Sequence, residues 1–298
     1  MPPDVKPLRL GSRGSRLALV QAEMVAKQLG CPVEIVVLKT SGDRIQDRPL
    51  ADAGGKGLFV KELEDALLGE GIDLAVHSMK DMPVLLPGGL AIAAVLPRED
   101  PRDVFVSNAA PSLGTLAHGA RVGTSSVRRA AQVKRARPDV ETVLLRGNVD
   151  TRLARLDAGT MDAMILAHAG LKRLGLESRA TELLDVLPAL AQGAIGIEVR
   201  RGDARATVAV AGLNDGDTDA ALACERAFQA ALGGSCRSPM AGLATIKGGR
   251  LHFRGEVLAP DGSDCVSVEI EAATGDAERA GRDAGLSIRD RAARWLDL

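Results

Sequence analysis

The chain has 298 residues, a length that predicts two or three domains. Hydrophobic residues make up 46% of it and charged residues 26%, as in ordinary globular proteins, and the 2% of aromatic residues disfavours the stacking surfaces that bind single-stranded nucleic acid. With a net charge of -1, the protein has no overall electrostatic field that would attract nucleic acid or a membrane.

The first part of the chain predicts an α/β unit. Residues 1–7 lack the apolar core of a signal peptide, and no run reaches the length of a membrane span, so we expect a cytoplasmic protein. Residues 8–10 predict a strand, which a Gly/Ser turn joins to a helix that Ser15 can cap. Backbone N–H groups at such a turn can bind an anion, and Arg13 adds positive charge, although turns of this kind are common in α/β proteins.

A second strand is predicted at residues 33–38, and a long polar connection follows at residues 40–57. The connection ends in Gly-Gly-Lys-Gly but lacks the spacing of a phosphate loop, so it does not predict a nucleotide site. Its length and its glycines suggest a flap with Lys56 near its end. Residues 58–68 then predict an amphipathic helix.

The segment of residues 71–83 changes from apolar to polar. Residues 72–76 predict a buried strand, and Lys80 and Asp81 follow it. Ligands in open α/β sheets bind beyond the carboxyl ends of strands, so these two side chains lie where a ligand-binding or catalytic site is usually found. A solvated strand exit without function is the alternative.

A second α/β unit follows a strand at residues 90–96 and a charged link at residues 97–103 that could act as a hinge. A strand and turn at residues 121–126 precede a helix whose first turn carries Arg128 and Arg129. Cations there oppose the helix dipole by about 0.3–1 kcal/mol each unless an anion compensates. A hydroxyl-rich helix start with two arginines therefore favours a carboxylate or phosphate site, and solvated arginines are the alternative.

Three further arginines lie near the ends of predicted strands or the starts of predicted helices: Arg146, Arg152 and Arg173. Convergent arginines recognise carboxylates through two parallel hydrogen bonds. Residues 187–199 predict a glycine-containing crossing and a late strand, which suggests that the chain returns to the first domain.

The rest of the chain, from about residue 219, predicts a smaller α+β module. It has a helix at 220–232, strands at 250–258 and 263–270, and a closing helix that ends at residue 296. Cys236 lies in a loop between glycines and a proline, beside Arg237, and a nearby cation favours the thiolate. The remaining cysteines are expected to behave as small apolar residues, and the scattered cysteines and histidines predict no metal site.

Seven segments together resemble the porphobilinogen deaminase family, also called hydroxymethylbilane synthases. They keep one order along the chain, at residues 54–63, 75–81, 98–103, 123–129, 145–148, 169–175 and 233–236. The resemblance implies an α/β fold with two periplasmic-binding-protein-like domains around a cleft and a smaller α+β C-terminal domain. The implied boundaries are 1–99 with 194–213, then 103–190, then 216–298.

The resemblance also implies the reaction and its residues. The family joins four porphobilinogen molecules head to tail, with release of ammonia, into hydroxymethylbilane for haem and tetrapyrrole biosynthesis, and it is primed by a dipyrromethane held as a thioether. Asp81 matches the catalytic carboxylate, which would stabilise the cation left when ammonia departs. Cys236 matches the attachment site. The positions that match cofactor-binding residues are Lys80, Thr124, Ser126, Arg128 and Arg129. Those that match substrate-binding residues are Arg13, Ser15, Lys56, Arg146, Arg152 and Arg173.

Some positions depart from the family pattern. Ala191 stands where the family often has glycine, which leaves the backbone geometry of that crossing open. Asp52, Arg16 and Ser235 are further departures. A non-catalytic binding protein for an anionic ligand is the competing hypothesis, while a nucleotide-dependent enzyme fails for want of a phosphate loop. We expect a monomer that acts on a small molecule.

Overall fold

The computed structural model describes residues 6–44, 59–233 and 238–296. Its strands are β1 (Leu8–Arg13), β2 (Val33–Leu38), β3 (Leu74–Ser78), β4 (Leu90–Val95), β5 (Asp103–Ser107), β6 (Arg121–Thr124), β7 (Glu141–Leu144), β8 (Ala163–Ala167), β9 (Glu182–Leu183), β10 (Ile195–Arg200), β11 (Met240–Lys247), β12 (Arg250–Leu258) and β13 (Cys265–Ala273). Its helices are α1 (Arg16–Gln28), α2 (Ser41–Arg44), α3 (Lys61–Leu68), α4 (Val127–Ala136), α5 (Val149–Asp157), α6 (His168–Arg173), α7 (Ala204–Ala211), α8 (Gly216–Leu232) and α9 (Ala277–Ala292). No helix in these ranges is long and apolar enough to cross a membrane.

The described chain divides into two compact units. The first comprises residues 6–44, 59–98 and 194–219, and the second comprises residues 99–193, 220–233 and 238–296. The division cuts the chain near the charged link that the sequence marks as a candidate hinge. The three domain boundaries implied by the resemblance stay a prediction.

The first unit is built on a five-stranded sheet in the order β2-β1-β3-β10-β4. β1 runs parallel to β2 and β3, whereas β10 runs antiparallel to both of its neighbours. Leu10, Leu74 and Ile197 are fully buried on this sheet, where α1 and the late helix α7 contribute further apolar side chains. The predicted return of the chain to the first sheet is confirmed by the pairing of β10.

The second unit contains a mixed sheet in the order β7-β6-β8-β5-β9 and an antiparallel sheet in the order β11-β12-β13. The antiparallel sheet shares its core with α8 and α9, and the rings of Phe228 and Phe253 meet edge to face with centroids 4.9 Å apart. α9 can approach α8 because Gly281 lacks a side chain, since a Cβ there would lie 2.0 Å from the carbonyl oxygen of Cys224. The fold is therefore mixed α/β with a smaller sheet module near the C-terminus.

Sequence patterns missed the strands β9 and β11 and the helices α2, α6 and α7. β9 has only two residues, and Gly242 interrupts the pattern of β11 at a point where a side chain would collide with Leu190. The helix predicted at residues 220–232 begins four residues earlier than predicted, because α8 starts at Gly216. The carboxylate of Asp215 accepts a hydrogen bond of 2.8 Å from the backbone N–H of Thr218, so these polar residues start the helix.

Candidate functional site

Lys80 and Asp81 lie in a single 3-10 turn, Met79–Asp81, that follows β3 directly. The preceding residues of β3 are buried, whereas Lys80 and Asp81 are partly exposed. The sequence prediction of a buried strand with a polar end is confirmed. Within the described residues, no side chain donates a hydrogen bond to the carboxylate of Asp81, so it is available to a ligand.

Three consecutive residues hold this turn in place. His77 forms a buried hydrogen bond of 3.0 Å to Glu198 of β10. The hydroxyl of Ser78 and the side-chain amide of Gln21 are 3.0–3.1 Å apart and exchange hydrogen bonds. The N–H of Met79 donates to a backbone carbonyl 3.0 Å away, just before β10. The turn is therefore anchored from α1 and from β10.

A pocket of about 90 Å³ opens in front of the turn. Its lining includes Arg13, Ser15, Lys80 and Asp81, so the structure brings together four of the residues that the sequence predicts. The hydroxyl of Ser15 also caps α1, accepting from the N–H of Ala18 at 3.3 Å, which confirms the predicted cap. This pocket combines positive charge, a hydroxyl group and one carboxylate.

One aromatic side chain of the pocket was not singled out from the sequence. The guanidinium carbon of Arg13 lies 4.1 Å from the centroid of the Phe59 ring. This cation–π contact orients the guanidinium at the pocket wall. The signal that could have found Phe59 is its position near the end of the glycine-containing flap, in a chain with four phenylalanines.

Thr124 and Ser126 lie at the start of α4. Thr124 ends β6, and its hydroxyl accepts a hydrogen bond of 3.1 Å from the N–H of Ser126. The hydroxyl of Ser126 accepts from the N–H of Arg129 at 3.4 Å and so caps the helix. The helix start is thus lined by hydroxyl groups, with its remaining N–H groups directed along the axis.

Arg128 and Arg129 share a carboxylate that sequence reasoning missed. Nη2 of Arg128 lies 2.8 Å from one oxygen of Asp103, and Nη2 of Arg129 lies 2.7 Å from the other. All three side chains are buried, with Asp103 fully so. Burial would raise the pKa of Asp103, but the two guanidinium groups outweigh it and hold that pKa well below its usual range.

The anion that the arginine pair requires is therefore partly supplied by the protein itself. The carboxylate of Asp103 faces two guanidinium groups, and the charge of Glu256 acts on Arg128 as well. Gln192 donates to Asp103 at 2.8 Å, and Gln132 accepts from Arg128 at 2.7 Å. This network orients both arginines before any ligand binds.

The other predicted arginines lie on the same unit. Arg146 follows β7 and is buried, and burial lowers the pKa of its guanidinium. Arg152 donates to the carbonyl oxygen of Gly147 at 2.7 Å. Arg173 ends α6 and donates to the carbonyl oxygen of Gly193 at 2.6 Å, and burial lowers its pKa against the opposing effect of Glu99.

Two predicted site residues, Lys56 and Cys236, lie outside the described residues. The three cysteines that are described carry free thiols. Cys224 is fully buried, and burial raises the pKa of its thiol to about 12. A thiol of that pKa is a poor nucleophile at neutral pH, in agreement with the expectation that Cys224 acts as an apolar residue.

Comparison with known proteins decides the family. A family model described as porphobilinogen deaminase, dipyromethane cofactor binding domain, matches residues 8–208, and a model of the porphobilinogen deaminase C-terminal domain matches residues 220–290. The chain belongs to the porphobilinogen deaminase family. It is 50% identical over 293 residues to a porphobilinogen deaminase of Nitrobacter hamburgensis, an alignment that covers 95% of this chain and 93% of the relative.

Looser likenesses exist among solved structures. A periplasmic substrate-binding protein of an ABC transporter from Coxiella burnetii is 15% identical, with a TM-score of 0.43, over 69% of this chain and 91% of that one. The aliphatic sulphonate binding protein SsuA from Escherichia coli is 15% identical, with a TM-score of 0.41, over 76% of this chain and 70% of that one. Nothing about the ligand of this chain follows from likeness at that level.

The family's enzymes polymerise porphobilinogen on a dipyrromethane cofactor, and the donors of this chain fit such a group. Nε of Arg128 and Nε of Arg173 are buried and lack a hydrogen-bond partner among the described residues. A buried donor without an acceptor costs about 1–3 kcal/mol, and a charged donor costs more. The acetate and propionate groups of a dipyrromethane are acceptors of the required charge, so the donor set suits this cofactor.

Proposed function

We propose that Asp81 is the catalytic carboxylate with which this chain polymerises porphobilinogen, and that the pocket around it binds the substrate. The supporting observation is the composition of that pocket, where one carboxylate meets the cationic side chains of Arg13 and Lys80. Porphobilinogen carries two carboxylates and one amine. A site for it needs cations that bind the two carboxylates. It also needs a carboxylate that stabilises the positive charge left when the amine departs.

The carboxylate acts on the charge of the reacting carbon. The aminomethyl nitrogen is protonated at neutral pH, so when its C–N bond breaks the electron pair leaves with nitrogen as neutral ammonia, and the pyrrole ring carries the positive charge. Asp81 stabilises this cation electrostatically, and the partial burial of the turn strengthens the effect relative to water. Arg13 binds an acidic side chain of the substrate ring and so orients the ring against Asp81.

The remaining residues bind the cofactor and the growing chain. When bound, the dipyrromethane supplies the pyrrole carbon to which the first substrate is joined. We assign its thioether to Cys236 and its acidic side chains to Lys80, Thr124, Ser126, Arg128 and Arg129. We assign the acidic side chains of substrate and product to Arg13, Ser15, Lys56, Arg146, Arg152 and Arg173. The buried arginine pair supports this assignment, because Nε of Arg128 has no hydrogen-bond partner among the described residues.

We also propose three domains with the boundaries given above, a monomer, and a cytoplasmic location. The three separate sheets support the domain division. Light scattering of the purified protein tests the monomer, and a mass of two chains would contradict it.

Two measurements test the catalytic assignment. Intact-protein mass spectrometry should find an added mass equal to one dipyrromethane, and Cys236→Ser should abolish it. Asp81→Asn should lower kcat by about 100-fold or more while the added mass is retained. Asp157→Asn, at an exposed ion pair with Arg179, is the matched control and should leave kcat unchanged. Near-normal turnover by Asp81→Asn would remove Asp81 from the mechanism.

A further inference from the structure

A buried cluster of titratable side chains adjoins the Lys80–Asp81 turn and has no part in the function proposed above. Its members are His77 of β3, Glu198 of β10 and Glu64 of α3. Nε2 of His77 lies 3.0 Å from Oε2 of Glu198, with side chains 3% and 0% exposed. Glu64 is 7% exposed. Ionisable groups buried this deeply are costly to the fold unless they are paired.

The register of the two strands explains why these residues meet. His77 stands opposite Gly196, and Glu198 stands opposite Ala75, so the two side chains are diagonal neighbours on one face of the sheet. Met79 lies on the same face, two residues beyond His77. The side chain of Met79 occupies the space over Gly196, and a Cβ added to Gly196 would lie 2.1 Å from the sulfur of Met79. The pair therefore holds the last residues of β3 against β10, immediately before Lys80 and Asp81.

Burial is the main effect that raises the pKa of Glu64, and the charge of Glu198 raises it further, whereas His77 acts in the opposite direction. Of the two carboxylates, Glu198 is the one within hydrogen-bonding distance of His77. Removing one member of a buried pair leaves the other uncompensated.

We propose that His77, through its hydrogen bond to Glu198, is a positioning residue for the catalytic turn. It fixes the end of β3 from which Lys80 and Asp81 project. The proposal rests on the catalytic role of Asp81. His77 also lines the pocket and comes four residues before Asp81. A shift of the backbone at His77 therefore moves the carboxylate of Asp81.

Two substitutions at one position separate positioning from simple packing. His77→Gln places an amide nitrogen the same number of bonds from the backbone as Nε2, so it can keep the contact with Glu198. His77→Asn is too short to do so. We expect His77→Asn to lower kcat by about 10–100-fold, with KM within about threefold of the wild type, because misplacement of a catalytic group by 1 Å can cost about 100-fold. His77→Gln should recover most of that loss. His252→Asn, at an exposed histidine, is the control.

The partner residue provides an independent arm. Glu198→Met has a side chain of similar length without acceptor oxygens and should reproduce the kcat defect. The His77→Asn, Glu198→Met double variant should be no worse than the worse single variant. Each kcat is divided by the fraction of molecules that carry the dipyrromethane, measured by intact mass, and circular dichroism checks that each variant is folded. Normal kcat in His77→Asn and Glu198→Met, or equal defects in His77→Asn and His77→Gln, would overturn the proposal. Retained turnover in Asp81→Asn would instead refute the proposed function.

Discussion

Asp103→Asn is the sharpest test of how this chain tolerates two buried arginines. The carboxylate of Asp103 is fully buried and contacts Arg128 at 2.8 Å and Arg129 at 2.7 Å. The asparagine has nearly the same shape but no charge, so two guanidinium groups lose their shared counter-ion. Removing one partner of a buried pair costs about 3–5 kcal/mol. Because domain stabilities are about 5–15 kcal/mol, the expected loss is a large fraction of the total.

The assay is urea unfolding at pH 7, followed both by circular dichroism and by the fluorescence of Trp295. This residue is 8% exposed and belongs to the same compact unit as Asp103. The circular dichroism midpoint should be much lower for Asp103→Asn. Asp157→Asn removes an exposed pair with Arg179, which is worth about 0.2–1 kcal/mol, and is the control.

The result that would refute this reasoning is a midpoint for Asp103→Asn no lower than that of Asp157→Asn. It would mean that the arginines relax toward solvent when the carboxylate is removed. The pH dependence follows from the lowered pKa of Asp103. The stabilisation by Asp103 is fully present above the pKa that Asp103 has in the unfolded chain, about 4. It is lost only as the pH falls through the much lower pKa of Asp103 in the folded protein.

Two further predictions concern the first unit. Burial would raise the pKa of Asp73, but hydrogen bonds from Arg9 lower it to about 2, so its stabilisation, on the order of 2 kcal/mol, is complete above about pH 4 and lost as pH falls toward 2. In Asp73→Asn, the urea midpoint should change less with pH between those values. A change as large as that of the wild type would contradict the assignment. Gly196→Ala should displace Met79, whose sulfur would lie 2.1 Å from the new Cβ, and lower kcat by about 10-fold or more. Gly212→Ala, with open space around it, should not, and equal kcat values for the two variants would show that the turn does not depend on this packing.

Local patterns were sufficient for most of the fold. The strands at residues 33–38 and 250–258 begin and end where their patterns predict. Ser15 caps the helix that follows it, as predicted. These features depend on residues within a few positions of one another, so the sequence contains all the information that they need.

The partners of the site side chains could not be predicted in the same way. Asp103 is 26 residues from Arg129, and Glu198 is 121 residues from His77. Each pair meets only because the sheet places distant strands and helices side by side. The sequence shows an excess of arginine and a need for an anion, but without the topology it does not show that the protein supplies part of that anion itself.

Ala191 shows how a departure from a family pattern can be tolerated. Its φ of 61° is left-handed, a conformation that costs a residue with a side chain about 1–2 kcal/mol. Against this, the residue is only 3% exposed, and burial of its methyl group contributes about 0.8 kcal/mol. Glycine would relieve the strain but lose about 0.5–1 kcal/mol through the freedom of the unfolded chain. The opposing contributions nearly cancel, and the N–H of Ala191 donates to the buried carboxylate of Glu225 whichever residue is present. The crossing therefore keeps its geometry with alanine, because a backbone contact rather than the side chain fixes it.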